Sequence, residues 1–532
     1  MPIIRTGMTP WKLAGLTSNY NDMKKTLCIC ITVLSFTCCT TAFLEVEPTT
    51  TIPTDNFYRT EDDMTKALIA AYAPMQWLDY SYGEYHPVQF LSDIIADDYN
   101  GVGGSSENDN PYMHLIRRFQ LTAEMSPIGL WNTLYAGVYR ANQVIDNMDK
   151  AEGISGQTRN RILAEAHTLR AFYYNWLWRF WGNIPYYTVN PDGYETDYIV
   201  PQYTADEVYA KIMEDLDFAT SAGYLPEAVP RSEVGRFTRY AAYMLRSNVI
   251  MLQGDEAQYG SALNQMREII SSGIHALTPR FADIWTDGEE WNSESIFEIN
   301  YSDKPSNRTW DNPYNPGGTV YPTFICPDSY KGSILASEGY GFGPVSPALY
   351  AAFDTRDSRR DGTILDFAIR QSLGESYNAR LDDSGYFNMK YAGRNGGHSE
   401  YIGSEGGELN FRTNIRVWRY SETLLAAAEL IVRTGGSQDE ADALLNQVRA
   451  RAFNTTPDEL AAGLKRTATL DNLLEENRLE FACEGHRFWD LVRFGKDVEV
   501  LGERGYTASK RYLPIPQSEI DRAENTLTQN PY

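Results

Sequence analysis

Between Trp285 and Tyr321, six tryptophan and tyrosine residues (Trp285, Trp291, Tyr301, Trp310, Tyr314 and Tyr321) are interleaved with Asn307, Arg308, Asp311 and Asn312. Rings of this kind can stack on the apolar C–H faces of sugars, while amide, carboxylate and guanidinium groups take the hydroxyls at the rim. A second candidate group, Asp97, Asp98, Tyr99 and Asn100, stands where an apolar run gives way to the glycine-rich stretch "GVGGSSENDN". Other chemistries are weaker. Adjacent carboxylates at Asp97–Asp98, Glu289–Glu290 and Asp382–Asp383 raise the alternative of a glycoside hydrolase. That reaction needs two carboxyl groups about 5–10 Å apart across a cleft, which neighbours on one turn do not supply. His486 has no candidate nucleophile beside it, so no catalytic residue is expected. The run "ENDN" at Glu107–Asn110 lacks the twelve-residue spacing and closing glutamate of an EF-hand, and neither a metal nor a cofactor is expected.

Cysteine chemistry concentrates near the start of the chain. Lys24 and Lys25 precede an apolar run, Leu27 to Thr37, that is about half the roughly 20 residues a membrane-spanning helix needs. A charged pair, a short apolar stretch and small residues form an export signal. A cysteine directly after such a run resembles a bacterial lipobox, in which the thiol is acylated and becomes the mature N-terminus. Phe36, three residues before Cys39, favours Cys39 as the anchor over Cys38, which has Ser35 at that place. Residues 1–38 are thus read as presequence and lipoprotein signal, with Met23 as a candidate true start. Apart from the anchor, the mature chain keeps only Cys326 and Cys483, read as two buried thiols rather than a disulfide framework.

The elements that position these groups follow from composition and period. The chain carries 532 residues and a formal charge of −24; residues 1–38 hold Arg5, Lys12, Lys24 and Lys25 against Asp22, so their removal leaves −27. Such an acidic surface excludes nucleic acid and disfavours polyanionic ligands, while neutral ones remain open. In "RILAEAHTLRAFYYNWLWRFWGNIPYY", Ile162, Ala166, Leu169, Tyr173, Trp176 and Phe180 recur at steps of three and four, which places them on one helix face before Gly182 and Pro185 end it. Ala242, Leu245, Val249 and Leu252 repeat the step up to Gly254, and Ala262, Met266 and Ile269 take it up in the next helix. "SETLLAAAELIVRTGG" and "DEADALLNQVRARAF" form a further pair turning at Gly435 and Gly436. Helix, glycine turn, helix is the grammar of tetratricopeptide-like pairs. The expected fold is mostly α: helix pairs supporting an irregular, loop-rich face. A single domain is expected over 39–532, with helical parts at 55–272 and 411–532 flanking a loop-rich aromatic insertion at 273–410. A scaffold whose groove receives a protein partner is a second alternative, though it would not need an insertion of that size.

Four stretches carry a family likeness: the lipobox cysteine followed by "FLEVEPTTTIPTDNFYRTEDDMTKALIAAYAPM", then "AEAHTLRAFYYNWLWRFWGNIPYY", then "LLEENRLEFACEGHRFWDLVRFGK", and the terminal "RYLPIPQSEIDRAENTLTQNPY". Together, in this order, they resemble the SusD/RagB family of Bacteroidetes outer-membrane lipoproteins. The resemblance implies a lipid-anchored protein on the outer membrane, facing the cell exterior, that binds a glycan and serves a SusC-like TonB-dependent transporter. It also implies that "ENRLEFACEGHRFWDLVRFGK" is a packing and ion-pair element, and that ligand contacts come partly from the loop beginning at Asp97 and partly from the aromatic insertion.

Overall fold

A computed structural model of the protein describes residues 57–191, 200–304, 308–336, 339–397, 407–524 and 526–532. The export signal, Cys38, Cys39 and Asn307 lie outside these residues.

Helices build the body. The principal ones are α1 (Glu61–Tyr72), α2 (Val88–Ile95), α3 (Ile128–Asn147), α4 (Gly156–Trp181), α5 (Ala205–Ala219), α6 (Arg239–Gln253) and α7 (Tyr259–Ser272). Beyond the insertion come α8 (Tyr420–Arg433), α9 (Gln438–Ala452), α10 (Leu470–Phe481), α11 (Arg487–Arg493) and α12 (Gln517–Arg522). Local signals start and stop them as the sequence dictates. Thr60 caps α1 in a capping box with Asp63, and Thr204 caps α5 in one with Glu207. Gly254 ends α6 in the left-handed region, at φ +75°, with its N–H on the Ile250 carbonyl.

Successive helices pack as pairs: α3 on α4, α4 on α5, α6 on α7 and α8 on α9, with α7 laid against α8. The periodic positions of α4 are all buried, but so are Glu165, Thr168, Arg170 and Asn175 on its other sides. The helix is therefore enclosed all round, not amphipathic, and its polar groups are matched inside. Glu165 accepts from Arg161, Arg236 and the Tyr72 hydroxyl, and Asp215 of α5 receives Arg170 through two hydrogen bonds at 2.9 and 2.6 Å.

The stretch 273–410 is less bare than its composition suggests. Antiparallel pairs of short strands run through the described residues: β1 (Tyr80–Ser81) with β2 (Glu84–Tyr85), β3 (Ile184–Pro185) with β4 (Gln202–Tyr203), and β5 (Ser295–Ile299) with the later β10 (Ile415–Arg419). Inside the insertion β6 (Asp328–Lys331) pairs with β8 (Ser376–Asn378), and β7 (Ile364–Asp366) with β9 (Tyr386–Asn388). Cys326, Tyr330, Leu335, Leu365, Phe367, Phe387 and Ala392 form a small core between them. The aromatic residues of this core, Tyr330, Phe367 and Phe387, are thereby taken up by the insertion's own packing. Cys326 and Cys483 are both buried free thiols.

Candidate functional site

Four of the rings singled out for sugar stacking have no face to offer. Trp285 and Tyr321 are fully buried, Tyr99 is 1% exposed and Tyr301 is 7% exposed. Trp285 lies among Lys390, Arg416 and Arg419, with Tyr391 against its edge at 5.4 Å. Tyr99 packs on Phe90, and its hydroxyl accepts from Asn388. Trp291 is half-buried and tied down: its indole N–H donates to Asn300 at 2.7 Å, and its ring meets Phe297.

The acidic turn is engaged elsewhere too. Asp98 is fully buried and accepts from Arg478 at 2.7 Å, while Asp97 accepts from Arg487 at 2.8 Å and lies 3.3 Å from Arg478. Burial alone would raise the Asp97 carboxyl, but the two guanidiniums hold it below the ordinary carboxylate range. Asn100 is exposed and donates to the Asp382 carbonyl at 2.8 Å. The turn at Asp97 is thus a clasp between the end of α2 and the C-terminal motif. Asp93 of α2 completes it by accepting the Gly485 N–H with both oxygens, at 3.1 and 3.0 Å. Gly485 sits at φ +84°, and a Cβ there would fall 2.7 Å from the Gln89 backbone, so only glycine fits.

The rest of that motif is an ion-pair lattice. Glu480, fully buried, meets Arg359, Arg419 and Arg451; Glu476 meets Arg359 and Arg449; Glu484 meets Lys390 and Arg419. Burial would raise the Glu480 carboxyl, and the three arginines outweigh it and keep the group ionised. His486 stacks on Phe481 at 4.6 Å, and burial pushes its imidazole down to about 3, so it is neutral at physiological pH.

Exposed aromatic surface gathers elsewhere. Trp310, half-buried, stands edge-on to Tyr80 at 5.0 Å and to Tyr85 at 5.9 Å. Tyr314, 40% exposed, meets Tyr82, 47% exposed, at 5.5 Å and packs on buried Trp77 at 4.9 Å. Tyr340 extends the row beyond Tyr85 at 6.2 Å. Three of these rings come from the β1–β2 hairpin. Tyr80 and Tyr85 are cross-strand partners with rings 5.0 Å apart. Tyr82 and Gly83 form the two-residue turn at φ +50° and +78°, the positive values such hairpin turns require.

What presses hairpin and insertion into one surface is a buried pair. Asp79, immediately before β1, accepts from Arg308 at 2.9 and 2.7 Å, from the Thr319 hydroxyl at 2.7 Å and from the Val320 N–H at 2.9 Å. Arg308 donates onward to the carbonyls of Pro313, Gly318 and Tyr80. Arg308 is therefore no sugar ligand, as it is 1% exposed and its N–H donors are spent on Asp79 and on carbonyls of both segments. Asp311 and Asn312, both exposed, leave carboxylate and amide groups at the rim beside Trp310. The arrangement is a rigid aromatic platform with polar edges, which suits a ligand with apolar faces and peripheral hydroxyls.

Comparison with known proteins agrees with this architecture. Residues 293–508 match the family model described as "SusD family", and residues 42–251 match one described as "Starch-binding associating with outer membrane". A solved structure of surface glycan-binding protein A from Bacteroides thetaiotaomicron, in complex with laminarihexaose, is 40% identical, with a TM-score of 0.82 over 89% of this chain and 100% of that one. The chain belongs to the SusD family. A laminarin-binding SusD-like protein of solved structure is 30% identical at a TM-score of 0.79, covering 89% of this chain and all of that one. SusD-like protein P25 of Formosa agariphila is 24% identical over 92% of this chain and 96% of its own.

Within this SusD-family chain, Trp310 and Tyr314 are the two sequence candidates that join the platform. Tyr80, Tyr82, Tyr85 and Tyr340 were not singled out. For the first three the sequence signal is "YSYGEYH", with tyrosines at 80, 82 and 85 around a glycine turn; Tyr340 stands apart in "EGYGFG".

Proposed function

We propose that this protein is a non-catalytic glycan receptor, anchored through acylated Cys39 (or Cys38) to the outside of the outer membrane. It captures oligosaccharide or polysaccharide on the Tyr80–Trp310–Tyr314 platform and passes it to a SusC-like TonB-dependent transporter. The observation that carries the reading is the platform: rings from two distant segments fixed edge to face by a buried Asp79–Arg308 pair and left open to solvent. A protein–peptide groove would not need it, and the paired carboxylate at Asp97 is neutralised by arginines, which argues against a hydrolytic role there. The relative bound to laminarihexaose makes laminarin-type glucans the first ligands to test. Calorimetric titration of laminarihexaose should show binding to the wild type and a loss of about tenfold or more in Trp310→Ala, since one stacked ring is worth on the order of 1 kcal/mol beyond its buried area. Equal affinity in the variant would place the site elsewhere.

A further inference from the structure

The platform does not end at Tyr82. The same ring lines a groove of about 340 Å³ between α3 and α12 with the residues that follow it, within the range of about 300–1,000 Å³ that ligand pockets occupy. Trp131, Tyr135 and Tyr139 follow one another at steps of four along α3, which sets them on one face of the helix. Tyr187 stacks on Tyr135 at 5.9 Å with the rings 14° from parallel, and Tyr135 is fixed again by its hydroxyl bond to the Pro185 carbonyl at 2.7 Å. Tyr139 is 47% exposed at the mouth. Asn132 and the ion pair of Glu519 with Arg522, 3.4 Å apart, supply polar groups along the wall. A direct bond ties the platform's hairpin to the helix that lines the groove: Glu84 accepts the Gly129 N–H in the first turn of α3 at 2.7 Å.

We propose that this groove is a second subsite for the same glycan, taking the continuation of a chain whose first residues lie on the platform. The groove repeats the platform's chemistry: fixed aromatic walls for the C–H faces of sugar rings, with an amide, a carboxylate and a guanidinium for the hydroxyls. It also adjoins the platform through a shared ring, because Tyr82 both meets Tyr314 and lines the groove. The inference rests on the platform being a glycan site, and it makes the receptor selective for long chains. Two linked contacts on one ligand multiply, so polymer binds tighter than the short oligosaccharide that reaches the platform alone.

The test compares laminarihexaose with polymeric laminarin, per chain, on wild type, Tyr139→Ala and Trp310→Ala. The wild type should bind the polymer about tenfold tighter than the hexasaccharide. Tyr139→Ala should keep the hexasaccharide affinity within twofold and lose the polymer advantage, while Trp310→Ala weakens both. If Tyr139→Ala binds the polymer as the wild type does while Trp310→Ala loses the hexasaccharide, the groove is overturned and the platform stands. If Trp310→Ala binds both unchanged while Tyr139→Ala loses the polymer, the platform reading falls and the groove remains a site. Hydroxyl-radical labelling of the wild type checks the result without a mutation. Polymer should protect Tyr139 and the hexasaccharide should not; equal labelling with and without polymer overturns the proposal.

Discussion

Trp285 and Trp310 share one side chain and one stretch of sequence, yet the structure sets them in opposite roles. Trp285 has no exposed surface and is surrounded by three cations and Tyr391, whereas Trp310 caps a hairpin at the surface. Trp285→Ala should cost about 3–5 kcal/mol of stability through the cavity it leaves, with the glycan affinity of the folded protein unchanged. Tyr314→Ala, at a ring 40% exposed, should do the reverse: melting within a degree or two of wild type and hexasaccharide affinity down about tenfold. Melting curves and calorimetry on the two variants decide it, and matched losses of stability and affinity in Tyr314→Ala would make that ring a loop anchor. The sequence showed that aromatic residues cluster between Trp285 and Tyr321, but not which of them the insertion's own packing would claim. Nor could it show that Tyr80, Tyr82 and Tyr85 would complete the surface, because the Asp79–Arg308 bond joining the two segments spans 229 residues of sequence. Ring count is local information; ring exposure is tertiary.

The elements were more legible than the residues, for a physical reason. Helix periodicity and capping are written within a few neighbouring residues, so α4, α6, α7, α8 and α9 follow from spacing and from Gly182, Gly254 and Gly435. The C-terminal motif was legible as alternating arginine and glutamate, but its partners Arg359, Arg419, Arg451 and Asp97 come from other segments and no local pattern names them. Where helices enclose charge without a full set of partners, pH dependence follows. Glu422 on α8 is buried, with its carboxyl pushed up to about 7 by desolvation, against the Asn248 amide bond at 2.9 Å and the charges of Arg179 and Arg419, which favour ionisation; Asp490 adds to the rise. In the unfolded chain this group ionises near 4.5, and in the folded protein only near 7. Its contribution to stability is therefore complete below about pH 4.5 and is lost as pH rises toward 7. Glu422→Gln keeps the shape and removes the titration. Relative to wild type, the variant should gain on the order of 1–3 kcal/mol between pH 5 and pH 8 in urea unfolding. A difference between the two proteins that does not change with pH would show that the carboxyl ionises normally.

For the molecule as a whole, the questions are where it sits and what it hands its ligand to. Among the described residues no helix is long and apolar enough to cross a membrane, and the anchor proposed at Cys39 or Cys38 carries the attachment. Two or more acyl chains hold a protein firmly, at about 0.8 kcal/mol for each buried CH₂, where a single chain binds reversibly. Replacing both cysteines by alanine should move the protein from the membrane pellet to the soluble fraction and abolish palmitate labelling; labelling that persists in the double variant refutes the anchor. The second question follows from the platform's design. Rings held edge to face by a buried ion pair form a rigid open surface, which as the proposed glycan site gives its ligand no path across a bilayer. A receptor of that kind serves uptake only if its face meets a transporter closely enough for the ligand to change hands, and a lipid tether confines the search for that partner to the membrane plane. The expected outcome of affinity purification from outer membranes in mild detergent is therefore a barrel protein of TonB-dependent type, recovered in constant ratio to the tagged chain. The ratio should hold in Trp310→Ala, because a ring that binds sugar at the open surface is not required for docking. Recovery of the tagged chain alone, from membranes where both proteins are made and at salt low enough to preserve charged contacts, would remove the transporter from the proposal and leave a surface receptor that only concentrates glycan.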